Sequence, residues 1–553
     1  MSVAAEVFPD KRVAIIRFSN PPVNALSKKL CTRLKEAVAN AQQDTNIRAI
    51  LLMSGEGLPF SGGADIKEFD NPPSRDNAEV GPLSLLIEEI ESATVPTVAC
   101  IHKYAFGGGL EVALACHYRV SMPTALLGLP EVKLGLIPGA GGTQRLPRLV
   151  GWEAAVRMVL TGDPLPSTEA HGIGLVDAVT KGGKEAGAAL QEVALTVVND
   201  PKTGCHRRAI NLPVPSNALN PLETCQTFAK KAGIKVEASD RGGEAFQGAL
   251  EALAAAALPD PRRGLDLEAR VFNRLLRSEQ SKARRYVFFS ERRVASDHHL
   301  GLRGDESLVE IRHVGVVGGG TMGAGIAIAF LDAGARVTLV EVTTEALARA
   351  HEVVQGIVAS RVRRGLMSAA QAAVWASQRR FQGTLSLGDL SETDLVVEAV
   401  FEDMALKKDI FRRLDAQCRP STILATNTST LSIDDIAAVT RRPDRVLGMH
   451  FFSPAHMMRL VEVVRGQASS TAVVGALAAV IKRMKKVCVA VGNCDGFVGN
   501  RMLFSYQKEL QLMVSGRMGG SWRHLHSPVY APTRVPPPVL FLIARVHRHL
   551  TLR

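Results

Sequence analysis

The chain has 553 residues, 46% of them hydrophobic and 5% aromatic, and a formal net charge of +12. That length allows about three or four domains of ~150 residues, and the apolar content excludes an intrinsically disordered chain. No apolar run approaches the ~20 residues needed to span a bilayer.

The opening stretch, "MSVAAEVFPDKRVAIIRFSNPPVNALS", contains acids and moves directly into a strand pattern. It has the form of neither a secretory signal nor an Arg-rich transit peptide. Eight cysteines are scattered without a CxxC pair or a Cys/His metal spacing, which predicts free thiols in a reducing compartment and no metal site. Up to about residue 190, short β-type runs ("RVAIIRF", "IRAILLMSG", "TVACIHKYA") alternate with helical patterns, so an α/β fold is expected.

Within this region "AFGGGLEVALACHYR" sets Glu111 among apolar neighbours, where an ionised group is costly. An acid in the first turn of a helix is ordinarily explained by the helix dipole. Twenty residues later, however, "PEVKLGLIPGAGGTQRL" places Glu131 in a second apolar setting. Two carboxylates held against apolar surface can have their pKa values driven apart, one serving as base and the other as acid. Upstream, "FSGGADIKEF" (60–69) offers backbone donors after a strand. The N–H groups of Gly62 and Gly108 are the expected pair to receive a developing oxyanion.

Residues 191–300 read as a helical extension and linker, ending in the polar "SDHHLGLRGDES". From His313 the order is strand, glycine turn, helix, strand, continuing through "DLVVEAVFED", "STILATN" and "RVLGMHFF". This predicts a doubly wound, Rossmann-type parallel sheet over 308–493. Gly318, Gly320 and Gly323 form G-x-G-x-x-G before a small-residue helix, and Glu341 ends the next strand. The pattern is that of a dinucleotide site, and an acid at that strand end favours NAD over NADP.

Further on, His450 and Glu462 stand twelve residues apart across Ser453-Pro454. A histidine in an apolar run is ordinarily a core residue. A chain reversal would instead seat the carboxylate on the imidazole and raise its basicity. A helical pattern starts over 494–512, and residues 513–553 form a basic, Pro-containing tail that is expected to be disordered. Six of the twelve excess positive charges are its arginines. The basic tail leaves anion or nucleic-acid binding as a third alternative, but the chain has no basic stripe interleaved with aromatics, and nucleic acid is not an expected partner.

"FSGGADIKEF", "AFGGGLEVALACHYR" and "PEVKLGLIPGAGGTQRL" together resemble the crotonase, or enoyl-CoA hydratase/isomerase, family over residues 1–190. That resemblance implies a ββα spiral domain in which Glu111 and Glu131 add water across a 2-enoyl-CoA, with 3,2-isomerisation as a further activity. "GGGTMGAGIA", "NTSTLSI", "HFFSPAHMMRLVEV" and "GNCDGFVGNRM" resemble the L-3-hydroxyacyl-CoA dehydrogenase family. By that resemblance His450 is the base and Glu462 its partner. Ser429 and Asn500 would then contact the 3-hydroxyacyl group, and Glu402 and Lys407 would lie against NAD. Ser429 and Asn500 also suit helix caps.

The combined order resembles the L-bifunctional enzymes of peroxisomal β-oxidation, and mitochondrial and bacterial multifunctional subunits share it. It implies acyl-CoA substrates, NAD as cofactor, no membrane span and a monomer. The departure is at the end, where the dehydrogenase C-terminal helical domain reads as incomplete, so a working hydratase half and an impaired or partial dehydrogenase half are expected. The last tripeptide, Thr-Leu-Arg, differs from the Ser-Lys-Leu peroxisomal address, so a cytoplasmic location is the alternative. The alternative function is a non-catalytic form that binds NAD or acyl-CoA.

Overall fold

The computed structural model describes residues 1–8, 12–70, 81–181, 186–200, 207–215, 220–234, 243–302, 309–364, 367–377 and 380–517. It divides into two compact units, Met1–Phe288 and Phe289–Arg553. Of the tail expected to be disordered over 513–553, residues 513–517 continue a helix, and those from 518 lie outside the described residues.

In the first unit the strands are β1 (Ser2–Phe8), β2 (Val13–Ser19), β3 (Ala49–Ser54), β4 (Thr97–Ile101), β5 (Tyr104–Phe106), β6 (Tyr118–Ser121), β7 (Leu126–Gly128), β8 (Leu165–Pro166) and β9 (Ala178–Val179). They build a six-stranded sheet, β1-β2-β3-β4-β6-β9, and a small sheet, β5-β7-β8. Only β1 runs antiparallel in the larger sheet. The inner strands β3 and β4 are buried at every position, as continuous apolar runs covered on both faces should be. Helix Lys28–Gln43, capped by Ser27, lays Leu30, Leu34 and Val38 on the core.

Helix Gly108–Ala115 is different, because all eight of its residues are buried. A helix with no solvent face carries its one acid, Glu111, into the interior. Helix Gly142–Thr161, bent at Gly151, packs against helices Pro221–Lys231, Gly243–Ala254 and Pro261–Leu276. The segment expected to be a linker after residue 190 is therefore largely part of this unit, as far as Phe288. Buried Leu250, Leu253, Val271 and Leu275 join the same core as β2–β4, an attachment that helical periodicity alone does not reveal.

The second unit contains β10 (His313–Val317), β11 (Arg336–Val340), β12 (Phe381–Thr384), β13 (Leu395–Glu398), β14 (Ile423–Thr426), β15 (Val446–Phe451), β16 (Leu460–Arg465) and β17 (Val487–Gly492). Their order is β12-β11-β10-β13-β14-β15-β16-β17, a doubly wound arrangement that continues past its sixth strand. The sheet is parallel except at β15–β16, which are antiparallel neighbours. Helix Gly499–Arg517 follows, ending five residues beyond the 494–512 segment read from the sequence. Among the described residues no helix is long and apolar enough to cross a membrane.

Candidate active sites

In the first unit two loops meet at the start of helix Gly108–Ala115. Gly107 (φ 52°) and Gly63 (φ 101°) both occupy the left-handed region that favours glycine. A side chain on Gly63 would meet the Phe106 carbonyl at 2.9 Å, and one on Gly107 would meet Glu131 Oε1 at 2.8 Å. The glycines thus let the two main chains approach each other and Glu131.

Gly62 does not supply the expected donor. Its N–H donates to Val23 O at 2.8 Å, and that of Gly63 to Ser61 Oγ at 3.0 Å. After the left-handed turn at Gly63, the N–H of Ala64 is the first without an acceptor among the described residues. That of Gly108, at the helix start, is likewise unpaired. The two are close, since a Cβ on Gly108 would lie 3.2 Å from Ala64 N.

Glu111 and Glu131 sit in contrasting surroundings. Glu111 Oε1 accepts the N–H of Ala140 at 2.7 Å and of Gly142 at 2.9 Å. Burial pushes its carboxyl up, and these donors, with the Arg145 charge, act against the rise. Glu131 Oε2 is buried with no hydrogen-bond partner among the described residues. Burial first, then the charge of Glu111, holds Glu131 well above the usual carboxylate range. The donors favour the charged form of Glu111, and Glu131 Oε2 has none to favour its own. A third acid, missed in the sequence, is Glu268 of helix Pro261–Leu276, which is 1% exposed and bonded to the same loop.

In the second unit the three motif glycines have separate reasons. Gly318 (φ 95°) passes so near the Ala399 carbonyl that a Cβ would be 2.8 Å from it. At Gly323 a Cβ would fall 1.8 Å from Gly318 O, so helix and turn can pack only without a side chain there. Gly320, which precedes helix Thr321–Asp332, faces open space. That space lies where a pyrophosphate meets a helix N-terminus. Glu341 Oε1 accepts the Gly319 N–H at 2.6 Å, which places the carboxylate beside the turn with lone pairs left for ribose hydroxyls. These residues fit NAD. Gly320→Ala is expected to weaken NAD binding measured by calorimetry and to leave unfolding within ~0.5 kcal/mol of the parent. Gly323→Ala is expected to cost about 1–3 kcal/mol in denaturant unfolding.

His450 on β15 is paired in register with Glu462 on β16, and its Nδ1 lies 2.8 Å from Glu462 Oε2. The other carboxylate oxygen accepts the N–H groups of Val498 (3.1 Å) and Gly499 (2.8 Å). Phe452 and Phe497 border the imidazole, with centroids 4.6 and 5.7 Å away. Against an accepting carboxylate Nδ1 is the donor, and Nε2 is the ring nitrogen that Glu462 does not engage.

Asn500 Nδ2 approaches the Ser429 carbonyl at 3.5 Å, so the structure brings these two expected residues together. The cap of helix Ile433–Ala437 is Ser432, not Ser429. Glu402 Oε1 accepts the Thr428 hydroxyl at 2.6 Å and the Ser429 N–H at 2.7 Å. Lys407 is buried, its ammonium 2.7 Å from Glu398 Oε1 and 3.5 Å from Glu402 Oε2. Glu398 was not singled out in the sequence. The signal was present, because it closes the apolar run of β13 and is itself fully buried. Among the described residues no group of three or more His, Cys, Asp or Glu side chains could hold a metal ion.

Comparison with known proteins finds a family match in each unit. Residues 9–199 match the enoyl-CoA hydratase/isomerase family, and residues 313–494 match the NAD-binding domain of 3-hydroxyacyl-CoA dehydrogenase. The chain is similar to the peroxisomal bifunctional enzyme of Danio rerio, 41% identical over 91% of this chain and 67% of that relative. It is 38% identical to the peroxisomal bifunctional enzyme of Homo sapiens over 91% and 67% of the two chains. A peroxisomal fatty acid beta-oxidation multifunctional protein of Arabidopsis thaliana is 37% identical over 91% and 69%. The chain thus spans about two thirds of the length of these relatives. It belongs to the family of bifunctional and multifunctional fatty-acid β-oxidation enzymes that join an enoyl-CoA hydratase to an NAD-dependent 3-hydroxyacyl-CoA dehydrogenase.

Proposed function

We propose that the first unit hydrates a 2-enoyl-CoA through Glu111 and Glu131 acting in opposite protonation states. The reading is carried by one observation: Glu111 is held by two N–H donors, while Glu131 has a buried oxygen with none. Ionised Glu111 takes a proton from water as its oxygen attacks the β-carbon. Protonated Glu131 delivers a proton to the α-carbon. Between these events the thioester oxygen carries negative charge, and the N–H groups of Ala64 and Gly108 receive it in place of the Gly62–Gly108 pair.

The second unit, on the same proposal, oxidises the resulting 3-hydroxyacyl-CoA. Bound NAD supplies the hydride acceptor. His450 Nε2 takes the hydroxyl proton, Glu462 fixes the imidazole tautomer, and Ser429 with Asn500 holds the acyl oxygen. Gly318, Gly320 and Gly323 open the pyrophosphate cradle, and Glu341 accepts the ribose hydroxyls. Glu402 borders the nicotinamide end, and Lys407 acts from behind it by pinning Glu398 and the Val400 carbonyl.

A peroxisomal location is proposed from the relatives' names. Purified protein should remove the enoyl absorbance of crotonyl-CoA and should form NADH from L-3-hydroxybutyryl-CoA. Binding of either ligand without turnover would return the chain to the non-catalytic alternative.

A further inference from the structure

The loop that holds Glu111 also holds a second carboxylate. Four successive N–H groups alternate between them: Ala140 and Gly142 donate to Glu111 Oε1, Gly141 to Glu268 Oε1 and Thr143 to Glu268 Oε2. The two Glu268 bonds measure 2.5 and 2.8 Å, and the Thr143 hydroxyl adds a third at 2.5 Å. The Gln144 amide then ties that hydroxyl to the Ala252 carbonyl.

One face of helix Pro261–Leu276 closes on this loop. A Cβ on Gly139 would meet the Phe272 ring at 2.5 Å, and one on Gly264 would meet Gln144 Oε1 at 2.2 Å. Gly264, Glu268 and Phe272 are four residues apart and share that face. Thr143, Gln144 and Glu268 are each no more than 1% exposed, so the contact is closed to bulk solvent. Glu268 lies beyond the 9–199 match and takes no part in the proton transfers described above.

We propose that Glu268 is a positioning residue for the hydratase step: its three hydrogen bonds orient the 139–143 loop whose N–H groups hold Glu111, and it sets a third acid beside the Glu111–Glu131 pair. The inference rests on the proposed roles of those two acids.

The charged groups facing Glu268 are Glu111 from helix Gly108–Ala115, Glu131 from the Pro130–Leu134 turn and Arg145 from helix Gly142–Thr161. Arg145 is itself paired with Glu91 at 2.8 Å. Burial, followed by the charge of Glu111, lifts the Glu268 carboxyl to about 8. Above that pH Glu268 is ionised, and its charge then raises Glu131. The sign follows: Glu131 works protonated, so activity falls as pH rises through its apparent pKa, and a neutral side chain at 268 lowers that pKa.

The test is crotonyl-CoA hydration by the full chain carrying Glu268→Gln, with kcat and KM followed across the pH range. The expected result is a roughly tenfold or greater loss in kcat, KM within a few-fold of the parent, and an alkaline limb displaced downward by roughly one pH unit. Glu268→Asp, which keeps the charge, should return the limb toward its parental position. If Glu268→Gln does not fold, Thr143→Val provides the same readout. Losing that donor raises the pKa of Glu268, reduces its charge at a given pH and moves the limb in the same direction. An unmoved limb, whatever the change in kcat, assigns Glu268 a merely structural part and overturns the inference. Full activity in Glu131→Gln would instead overturn the underlying roles, so the two failures are distinguishable.

Discussion

Glu131→Gln is expected to lower kcat for crotonyl-CoA hydration by about 10²–10⁴-fold, the span attributed to a positioned general acid or base. Gln matches Glu in size, and Glu131 Oε2 makes no hydrogen bond among the described residues, so no fold contact is lost. What disappears is the acidic proton destined for the α-carbon. KM should change little, since the thioester oxygen is still held by Ala64 and Gly108. NADH formation from L-3-hydroxybutyryl-CoA should be unchanged, because the substitution lies in the other unit. Enoyl absorbance and NADH absorbance, read on one preparation, check both halves of the expectation.

Glu462→Gln is expected to reduce dehydrogenase turnover about as strongly as His450→Gln, by ~10²–10⁴-fold. Glu462 Oε1 is committed to the N–H groups of Val498 and Gly499. The Gln carbonyl must take that place, since only oxygen accepts there, which leaves the amide NH₂ facing His450 Nδ1. Nδ1 then has to accept, and the ring proton moves to Nε2. The imidazole loses the lone pair that would receive the hydroxyl proton, although every neighbouring contact is kept. Heteronuclear NMR of the ring nitrogens should show the tautomer reversed, and kcat for NADH formation should fall with it. A Gln variant retaining full turnover and the parental tautomer would remove Glu462 from its proposed role.

Much of this architecture was legible in the sequence because single features demanded it. β13 is a short apolar run ending in an acid, and the glycine turn before helix Thr321–Asp332 has the spacing that close main-chain approach requires. Glu111 and Glu131 stood out because acids are rare in apolar runs. His450 and Glu462 could be paired because a break between two strand patterns makes antiparallel neighbours of residues on either side.

The failures have equally local causes. Gly62 and Ala64 are two residues apart, and which N–H faces the site depends on the left-handed Gly63 and on the bond from Gly62 to Val23. Neither is encoded in a glycine count. Glu268 is separated from the loop it holds by more than 120 residues, and in sequence it is one acid among the alternating charges of an amphipathic helix. For the same reason the helices up to Phe288 could be read only as a helical extension and linker. Their role in the first unit comes from packing, which periodicity detects on each helix without naming its partner.

The central claim is that Glu111 and Glu131 share a site in opposite protonation states, and carboxyl carbon NMR of Glu-labelled protein tests it most directly. Comparison with Glu111→Gln and Glu131→Gln assigns the two resonances. At neutral pH the Glu111 carbon should lie at the ionised position and that of Glu131 at the protonated one, with Glu131 titrating well above the usual carboxylate range. Two ionised carboxylates at neutral pH, or two resonances that titrate independently of each other, would contradict the account.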